Sequence, residues 1–294
     1  MIPESLAALI DETCGQRRVS WAGREVWIAN EPWGQLAVSL QGAQPLHFRP
    51  ARDDGDGWLW VTPTPQDPPG TIRGGIPLCW PWFANERTAD ESPDRTGPMH
   101  GLARQADWHL EAVDEHEGGV ELHLSPAQRL HTQLIPRAVI QANGQRLHVE
   151  LITEHVGETP IKTSGALHTY LAVSDAHACR VEGLAGARFL DKLADFAERE
   201  QQGELGVRGG LDRIYHSNAT LMLDDGQRRL CIARQGSDSA VIWQPGEIPL
   251  TDTSIDAARR FLCVEAANTR LDPVWLVPGA QHLLGTTLSL ETPS

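Results

Sequence analysis

The chain has 294 residues, with 39 acidic and 25 basic side chains and a formal net charge of −14. This excess of negative charge argues against nucleic acid and anionic membranes as partners. A small molecule remains open as the ligand, even an anionic one, because a few local arginines can outweigh the overall charge. The five cysteines are scattered without a C-x-x-C pair, which fits a reducing compartment rather than a disulfide framework or a zinc site.

The sequence shows neither the pattern of a secretory signal nor that of a membrane-spanning segment. Residues 1–6 carry no basic segment of the kind that opens a secretory signal, and no apolar run is long enough to span a bilayer. We therefore expect a soluble cytoplasmic protein. Its oligomeric state stays open, because acidity gives no signal for or against assembly.

Short strand-like segments separated by turn residues dominate the chain after one helix at residues 5–13. Turns such as Asn143-Gly144 and Asp225-Gly226 each separate two such segments, which predicts β-hairpins. The expected strands are residues 18–21, 25–28, 36–40, 45–48, 58–61, 108–113, 120–124, 134–141, 147–153, 221–223, 230–233, 240–243, 261–266 and 282–290. Residues 190–203 fit either a helix or a long loop.

Regularly spaced strands with little helix predict an all-β sandwich. A parallel α/β fold is disfavoured, because strands and helices do not alternate over sufficient length. No repeat, low-complexity linker or change of composition divides the chain. We therefore expect one domain covering residues 1–294.

Two apolar stretches are each interrupted by one ionisable side chain. Residues 165–175 read as a strand with His168 near the middle, and residues 260–267 read as a strand containing Glu265. A histidine within a strand is commonly structural, whereas a buried carboxylate is costly unless it has a partner. A base and an acid on two strands suit general acid–base chemistry, so this pair is the first candidate for a reaction centre.

Further side chains suit an oxygen-rich ligand. Residues 73–83 contain Arg73, two glycines and two prolines. The guanidinium of Arg73 can bind oxygen atoms through a planar pair of N–H groups, but a rigid corner in the core explains the segment equally well. His100 and Arg104 flank one glycine, as they also would in an ordinary loop. Asp212 can accept two sugar hydroxyls, although turn aspartates are more common. Neither a P-loop nor a G-x-S-x-G motif is present.

Taken together, these stretches resemble the aldose 1-epimerase (galactose mutarotase-like) superfamily, and most closely its hexose-6-phosphate mutarotase branch, the glucose-6-phosphate 1-epimerases. The matching residues follow the family's order and are 73–83, 100–104, 166–175, 212–215, 241–245 and 263–267. The resemblance implies a large antiparallel β-supersandwich with a sugar cleft on one face. It also implies an isomerase that interconverts the α and β anomers of an aldohexose, expected as its 6-phosphate, without a cofactor or metal.

The same resemblance implies a role for each candidate residue. His168 corresponds to the family's catalytic acid and Glu265 to its catalytic base. Four further residues correspond to positions in the sugar cleft: Arg73, His100, Arg104 and Asp212. We expect Glu265 to be ionised and His168 protonated near neutral pH, because a neighbouring carboxylate raises the pKa of a histidine.

Three departures from the family pattern concern the substrate rather than the pair. Met99 stands where this branch often has glutamine, Glu86 adds a negative charge after Phe83, and residues 241–246 lack an asparagine and a second tryptophan. Met99 and Glu86 slightly favour a mutarotase for unphosphorylated aldoses. A sugar-binding or sensing module without turnover is a further alternative, disfavoured because both presumed catalytic residues are present.

Overall fold

The computed structural model describes residues 1–85, 97–116 and 118–291, so Glu86 lies outside the described residues. These residues form two α-helices, α1 Glu4–Asp11 and α2 Ile255–Ala258, and short 3₁₀ turns at Ala103–Gln105, Ala176–Ala178 and Lys192–Ala194. Among them no helix combines the length and the apolar character that crossing a bilayer requires.

Most of the fold consists of short strands. In chain order they are β1 Gly15–Trp21, β2 Arg24–Glu31, β3 Gly34–Ser39, β4 Gln44–Pro50, β5 Leu78–Cys79, β6 Trp108–His116, β7 Gly119–Pro126, β8 Leu134–Asn143, β9 Arg146–His155, β10 Ile161–Thr163, β11 Gly165–Leu167, β12 Tyr170–Ala172, β13 Arg180–Glu182, β14 Arg188–Asp191, β15 Ala197–Glu200, β16 Leu205–Gly206, β17 Leu211–His216, β18 Leu221–Asp224, β19 Arg229–Gln235, β20 Ser239–Gln244, β21 Phe261–Asn268, β22 Val274–Leu276 and β23 Gln281–Leu290.

Two large antiparallel sheets carry the fold. One has the order β15-β14-β17-β20-β21-β11-β5, with β12 also paired to β21, and we call it the site sheet. The other has the order β16-β13-β18-β19-β23-β9-β8-β7-β6. A four-stranded sheet, β1-β2-β3-β4, receives the buried Leu6 and Ile10 of α1, and β10 pairs with β22. The all-β supersandwich expected from the sequence is confirmed.

Alternation along the strands gives the site sheet two different faces. On β21, Leu262, Val264 and Ala266 enter the main core, which also holds side chains of the nine-stranded sheet. Each fully buried leucine or valine of this kind contributes about 1.5–3 kcal/mol to stability. Their neighbours Cys263 and Glu265 face the opposite side because successive strand residues alternate between faces.

The hairpins expected from the turn residues are present, from the β1–β2 pair to the β18–β19 pair. The expectations for residues 58–61 and for residues 190–203 are wrong. Residues 58–61 make only isolated bridges, Leu59 to Leu171 and Val61 to Gly74, and form no strand. Residues 190–203 are neither a helix nor a long loop: β14 and β15 pair as a hairpin around a 3₁₀ turn.

Candidate active site

A row of side chains on the outer face of the site sheet brings together groups from distant parts of the chain. Asp212 on β17 is the register partner of Trp243 on β20, and Trp243 is the partner of Cys263 on β21. Cys263 in turn faces Tyr170 on β12. Glu265, two residues further along β21, lies on the same face and is 1% exposed.

His168 reaches this face because the strand expected at residues 165–175 is broken. β11 ends at Leu167 and β12 begins at Tyr170, and the backbone N–H of His168 donates to the carbonyl of Pro77. The backbone N–H and the hydroxyl of Thr169 both donate to the carbonyl of Leu167, which stabilises the tight turn between the two strands. The interruption sets the imidazole beside β21 on the site face.

The structure brings the two candidate catalytic residues into direct contact. Nε2 of His168 lies 3.4 Å from Oε1 of Glu265, and both side chains are buried. Nδ1 of His168 and Oε2 of Glu265 have no hydrogen-bond partner among the residues that the structure describes. Buried polar atoms are seldom left unpaired, so these two atoms are suited to bind a polar ligand.

Burial governs the protonation of this pair. It raises the pKa of Glu265 well above the usual carboxyl value, aided by Asp212 and opposed by Lys192 and Arg104. Burial also lowers the pKa of His168, and the positive charges of Arg104 and Arg73 act in the same direction. The ion pair expected from the sequence is therefore disfavoured without a ligand. The neutral acid–imidazole form holds the same number of protons and is favoured in the buried site.

His100 lies against the pair as a second imidazole. Its ring is 5.3 Å from the ring of His168, edge to face, and its Nδ1 accepts from the backbone N–H of Ala84. That hydrogen bond assigns the ring proton to Nε2. Burial lowers the pKa of His100 to about 3, so the ring is neutral at ordinary pH and can donate one hydrogen bond.

Arg73 lies on a rigid corner of the backbone. The two interpretations left open by the sequence, a rigid corner and an arginine that contacts the ligand, are therefore compatible. A Cβ on Gly75 would lie 2.0 Å from the carbonyl oxygen of Pro45, so only glycine fits there. The Arg73 side chain is 24% exposed, and its Nε lies 2.6 Å from Oδ1 of the buried Asp252. Burial alone would lower the pKa of Arg73, but Tyr170 and Asp252 outweigh burial and raise that pKa above its usual value. No sequence signal marks Asp252, since it lies on a loop far from Arg73 in the chain.

Arg104 and Asp212 complete the set of residues predicted from the sequence. Arg104 lies in a 3₁₀ turn and donates to the carbonyl of Met99, and its buried Nε has no partner in the described part of the chain. Asp212 is part of β17, so the turn interpretation is wrong for it. Nζ of Lys192 lies 2.8 Å from Oδ2 of Asp212. No sequence signal identifies Lys192, because the 3₁₀ turn that presents it belongs to residues 190–203, whose pattern fits either a helix or a loop.

Aromatic rings form the floor beside the pair. The ring of Tyr170 stacks on that of His168 at 4.8 Å with an angle of 10° between the planes. Trp243 stands edge-on to both rings, at 6.0 and 6.1 Å. Such rings can pack on the apolar face of a sugar while they keep water from the buried pair.

Two groups of side chains among the described residues have ligand atoms close enough to hold a metal ion. The buried group is His168, Cys263 and Glu265, and the exposed group is Asp114, Glu121 and His123, with ligand atoms within 4.8 Å of one another in each.

The antiparallel supersandwich and the buried contact of His168 with Glu265 are the features expected of a sugar epimerase of the mutarotase type. The chain belongs to the aldose 1-epimerase family, whose model matches residues 25–289. The protein is accordingly an isomerase that interconverts anomers.

Named relatives point to one branch of that family. An Escherichia coli K12 protein provisionally named glucose-6-phosphate 1-epimerase is 31% identical over 250 residues, 82% of each chain. One from the plant Cenchrus ciliaris with the same provisional name is 25% identical and covers 95% of this chain and 86% of its own. The crystal structure of a protein provisionally described as a mutarotase from Salmonella typhimurium superposes with a TM-score of 0.83 at 25% identity, covering 96% and 95% of the two chains. Galactose 1-epimerase from Lactobacillus acidophilus shares the fold, with a TM-score of 0.72 at 14% identity over 95% and 99%.

Proposed function

We propose that the protein interconverts the α and β anomers of an aldohexose 6-phosphate, with glucose 6-phosphate as the expected substrate. The observation that carries this proposal is the buried contact of His168 and Glu265, 3.4 Å apart, on a sheet face rimmed by basic side chains. The provisional names of the relatives from Escherichia coli and Cenchrus ciliaris support the 6-phosphate.

In the proposed reaction Glu265 is the base and His168 is the acid. The carboxylate of Glu265 takes the proton of the C1 hydroxyl, and the electrons released form the C1–O1 double bond. The C1–O5 bond breaks as a ring N–H of His168 gives its proton to O5. After rotation about C1–C2 the same steps run backward with the roles exchanged, so protons balance over a cycle.

Substrate binding provides the charge state that this step needs. The C1 hydroxyl donates to Glu265, and hydrogen bonds to a carboxylate favour its ionised form. The ring oxygen accepts from His168 in the same way. The shared proton then moves from the carboxyl group to the imidazole, and the pair keeps its net charge of zero while its reactive form becomes populated.

Basic side chains at the rim are suited to a phosphate. Nε of Arg104 has no partner among the described residues, and Lys192 carries an ammonium on a side chain that is 45% exposed. Arginine and lysine bind phosphate oxygens through charge-assisted hydrogen bonds. Both are close enough to influence the pKa of Glu265, so a phosphate held by them remains within the same site. We assign the phosphate to this side of the cleft.

A mutarotase for unphosphorylated aldoses is the second candidate. One observation favours it: the Met99 side chain is 54% exposed and has no polar group to offer to a phosphate at the rim. The backbone carbonyl of Met99, however, fixes Arg104 with a 2.6 Å hydrogen bond. That contact favours the phosphate assignment, because it holds the guanidinium at the rim.

The test is anomer exchange measured by magnetisation-exchange NMR on glucose 6-phosphate, glucose and galactose 6-phosphate. We expect acceleration for the phosphates, and loss of it in His168→Ala and Glu265→Gln proteins that keep a wild-type circular dichroism spectrum. Acceleration with free sugars alone would favour the second candidate. Full activity in either variant would contradict the assignment of the pair, and binding without exchange would make the protein a sugar sensor.

A further inference from the structure

The catalytic pair has a third neighbour that the proposed reaction does not use. Cys263 and Glu265 are two residues apart on β21 and share the site face, and His168 reaches the same point from the break between β11 and β12. Their ligand atoms lie within 4.8 Å of one another, and all three side chains are buried. A thiol, an imidazole and a carboxylate are the three side chain types that zinc prefers.

The distances fit a tetrahedral metal with small adjustments. Zinc bonds of about 2.0–2.2 Å to nitrogen and oxygen and about 2.3 Å to sulfur place neighbouring ligand atoms about 3.3–3.8 Å apart. Nε2 of His168 and Oε1 of Glu265 are already 3.4 Å apart. A shift of about an ångström or less in the thiol of Cys263 brings the third ligand into range.

The charges also fit. The thiol of Cys263 carries a proton that a metal ion can displace. When zinc binds, this proton and the one shared by His168 and Glu265 pass to solvent, and one thiolate and one carboxylate balance the two positive charges. A neutral complex suits a buried site, where an unbalanced charge is costly.

We propose that His168, Cys263 and Glu265 form a three-ligand site for zinc(II) at the floor of the sugar cleft, and that the bound metal excludes the sugar. A water molecule would take the fourth position, as in other open three-ligand zinc sites. The metal site stands on this geometry alone. The exclusion of sugar rests on the proposed function, since it requires the same pair to act in anomer exchange.

The exposed group on the β6–β7 hairpin is the weaker site. There Nε2 of His123 already contacts both carboxylates, at 3.3 Å from Asp114 and 2.8 Å from Glu121. Gln141 also donates to Glu121, at 2.6 Å. These side chains are at least 21% exposed and offer no thiolate, so water competes with them for the metal. The buried group instead offers a sulfur ligand and a carboxylate oxygen, Oε2 of Glu265, that has no partner within the part of the chain that the structure describes.

Cobalt(II) and zinc(II) test the site by two independent measurements on the full chain in a phosphine-reduced buffer. Cobalt(II) bound to a thiolate gives a near-ultraviolet charge-transfer band, which reports binding without reference to activity. Zinc(II) chloride is then added to the anomer-exchange assay. We expect one equivalent of cobalt to give the band, zinc to displace it, and zinc to inhibit exchange in competition with glucose 6-phosphate.

Variants locate the ligand. Cys263→Ala removes the sulfur ligand and should abolish the band and weaken zinc inhibition by at least about 10-fold, the lower end of the loss caused by altering even an outer ligand contact. Its exchange rate without metal should persist, because the thiol takes no part in the reaction. Cys179→Ala, which changes another buried thiol, and His123→Gln, which disables the exposed group, should both behave as wild type.

Each outcome decides the proposal. Absence of the band from the wild-type protein overturns it, and so does a band that persists in Cys263→Ala or disappears in His123→Gln. An exchange rate that rises on addition of zinc overturns the exclusion of the sugar. If Cys263→Ala does not fold, displacement of the wild-type cobalt band by glucose 6-phosphate supports the proposal, and a band unchanged by saturating sugar overturns it. A band with no exchange activity in metal-free protein leaves the metal site supported and removes the proposed function instead.

Discussion

Glu265→Gln tests the proton-accepting role that we propose for one buried carboxyl group. The amide has nearly the same shape, so it can keep its place 3.4 Å from Nε2 of His168, but it cannot take a proton from the C1 hydroxyl. General-base catalysis contributes about 10²–10⁴-fold, equivalent to about 2.7–5.4 kcal/mol of transition-state stabilisation. We expect kcat/KM for glucose 6-phosphate to fall by that factor.

The fold should survive this change. Folding raises the pKa of the Glu265 carboxyl group. Such a group makes the folded protein less stable as the pH rises from the pKa of the unfolded state toward that of the folded state. At neutral pH the wild-type Glu265 therefore opposes folding, and the amide removes that penalty. We expect the Tm of Glu265→Gln at neutral pH to equal or exceed the wild-type value.

Magnetisation-exchange NMR on glucose 6-phosphate, combined with thermal unfolding, checks both expectations. Glu154→Gln is the matched control, because Glu154 is on β9 and its carboxylate is 37% exposed in a loose pair with Arg137. The control should match wild type in rate and Tm. A Glu265→Gln protein with more than about a tenth of wild-type activity would refute the base assignment, because its loss of activity would be smaller than the smallest expected loss of about 10²-fold.

Four further outcomes follow from the site. Arg104→Ala should lower kcat/KM for glucose 6-phosphate by about 10–100-fold, the loss of one hydrogen bond to a charged group, and leave free glucose unaffected; equal losses would show that Arg104 does not bind the phosphate. Asp252→Asn should raise KM by about 10-fold with kcat nearly unchanged, because it frees Arg73 from a 2.6 Å ion pair; a fall in kcat alone would contradict this positioning role. The pH profile of kcat/KM should be bell-shaped with its acid limb below about 6.5, because a second proton on the buried pair adds an unbalanced charge, and an acid limb at or above the ordinary histidine value would contradict it. Gly75→Ala should destabilise the fold by at least about 1–2 kcal/mol in chemical unfolding, because its φ is +60° and its Cβ would meet the carbonyl oxygen of Pro45; an unchanged midpoint would refute the strain.

Local sequence determines most of the hairpins. Asn143-Gly144 and Asp225-Gly226 favour tight turns through their own backbone preferences, and the strands beside them alternate as β8–β9 and β18–β19 require. The all-β class follows from these short-range signals. The break at His168 has no such signal, because it depends on a hydrogen bond that the backbone N–H of His168 donates to Pro77, which is remote in the chain. The pattern of residues 190–203 likewise does not predict β14, because β14 is fixed by pairing with β17.

The amino-acid sequence by itself determined the fold class and, through its resemblance to a known family, the candidates His168, Glu265, Arg73, His100, Arg104 and Asp212. Tertiary structure alone placed Lys192 against Asp212, Asp252 against Arg73 and Cys263 beside the pair. It also decided the protonation of the pair, because burial is a property of the folded chain. The physical reason is range: turn and strand preferences act over a few neighbouring residues, whereas ion pairs, ligand clusters and desolvation depend on which distant strands become neighbours in a sheet.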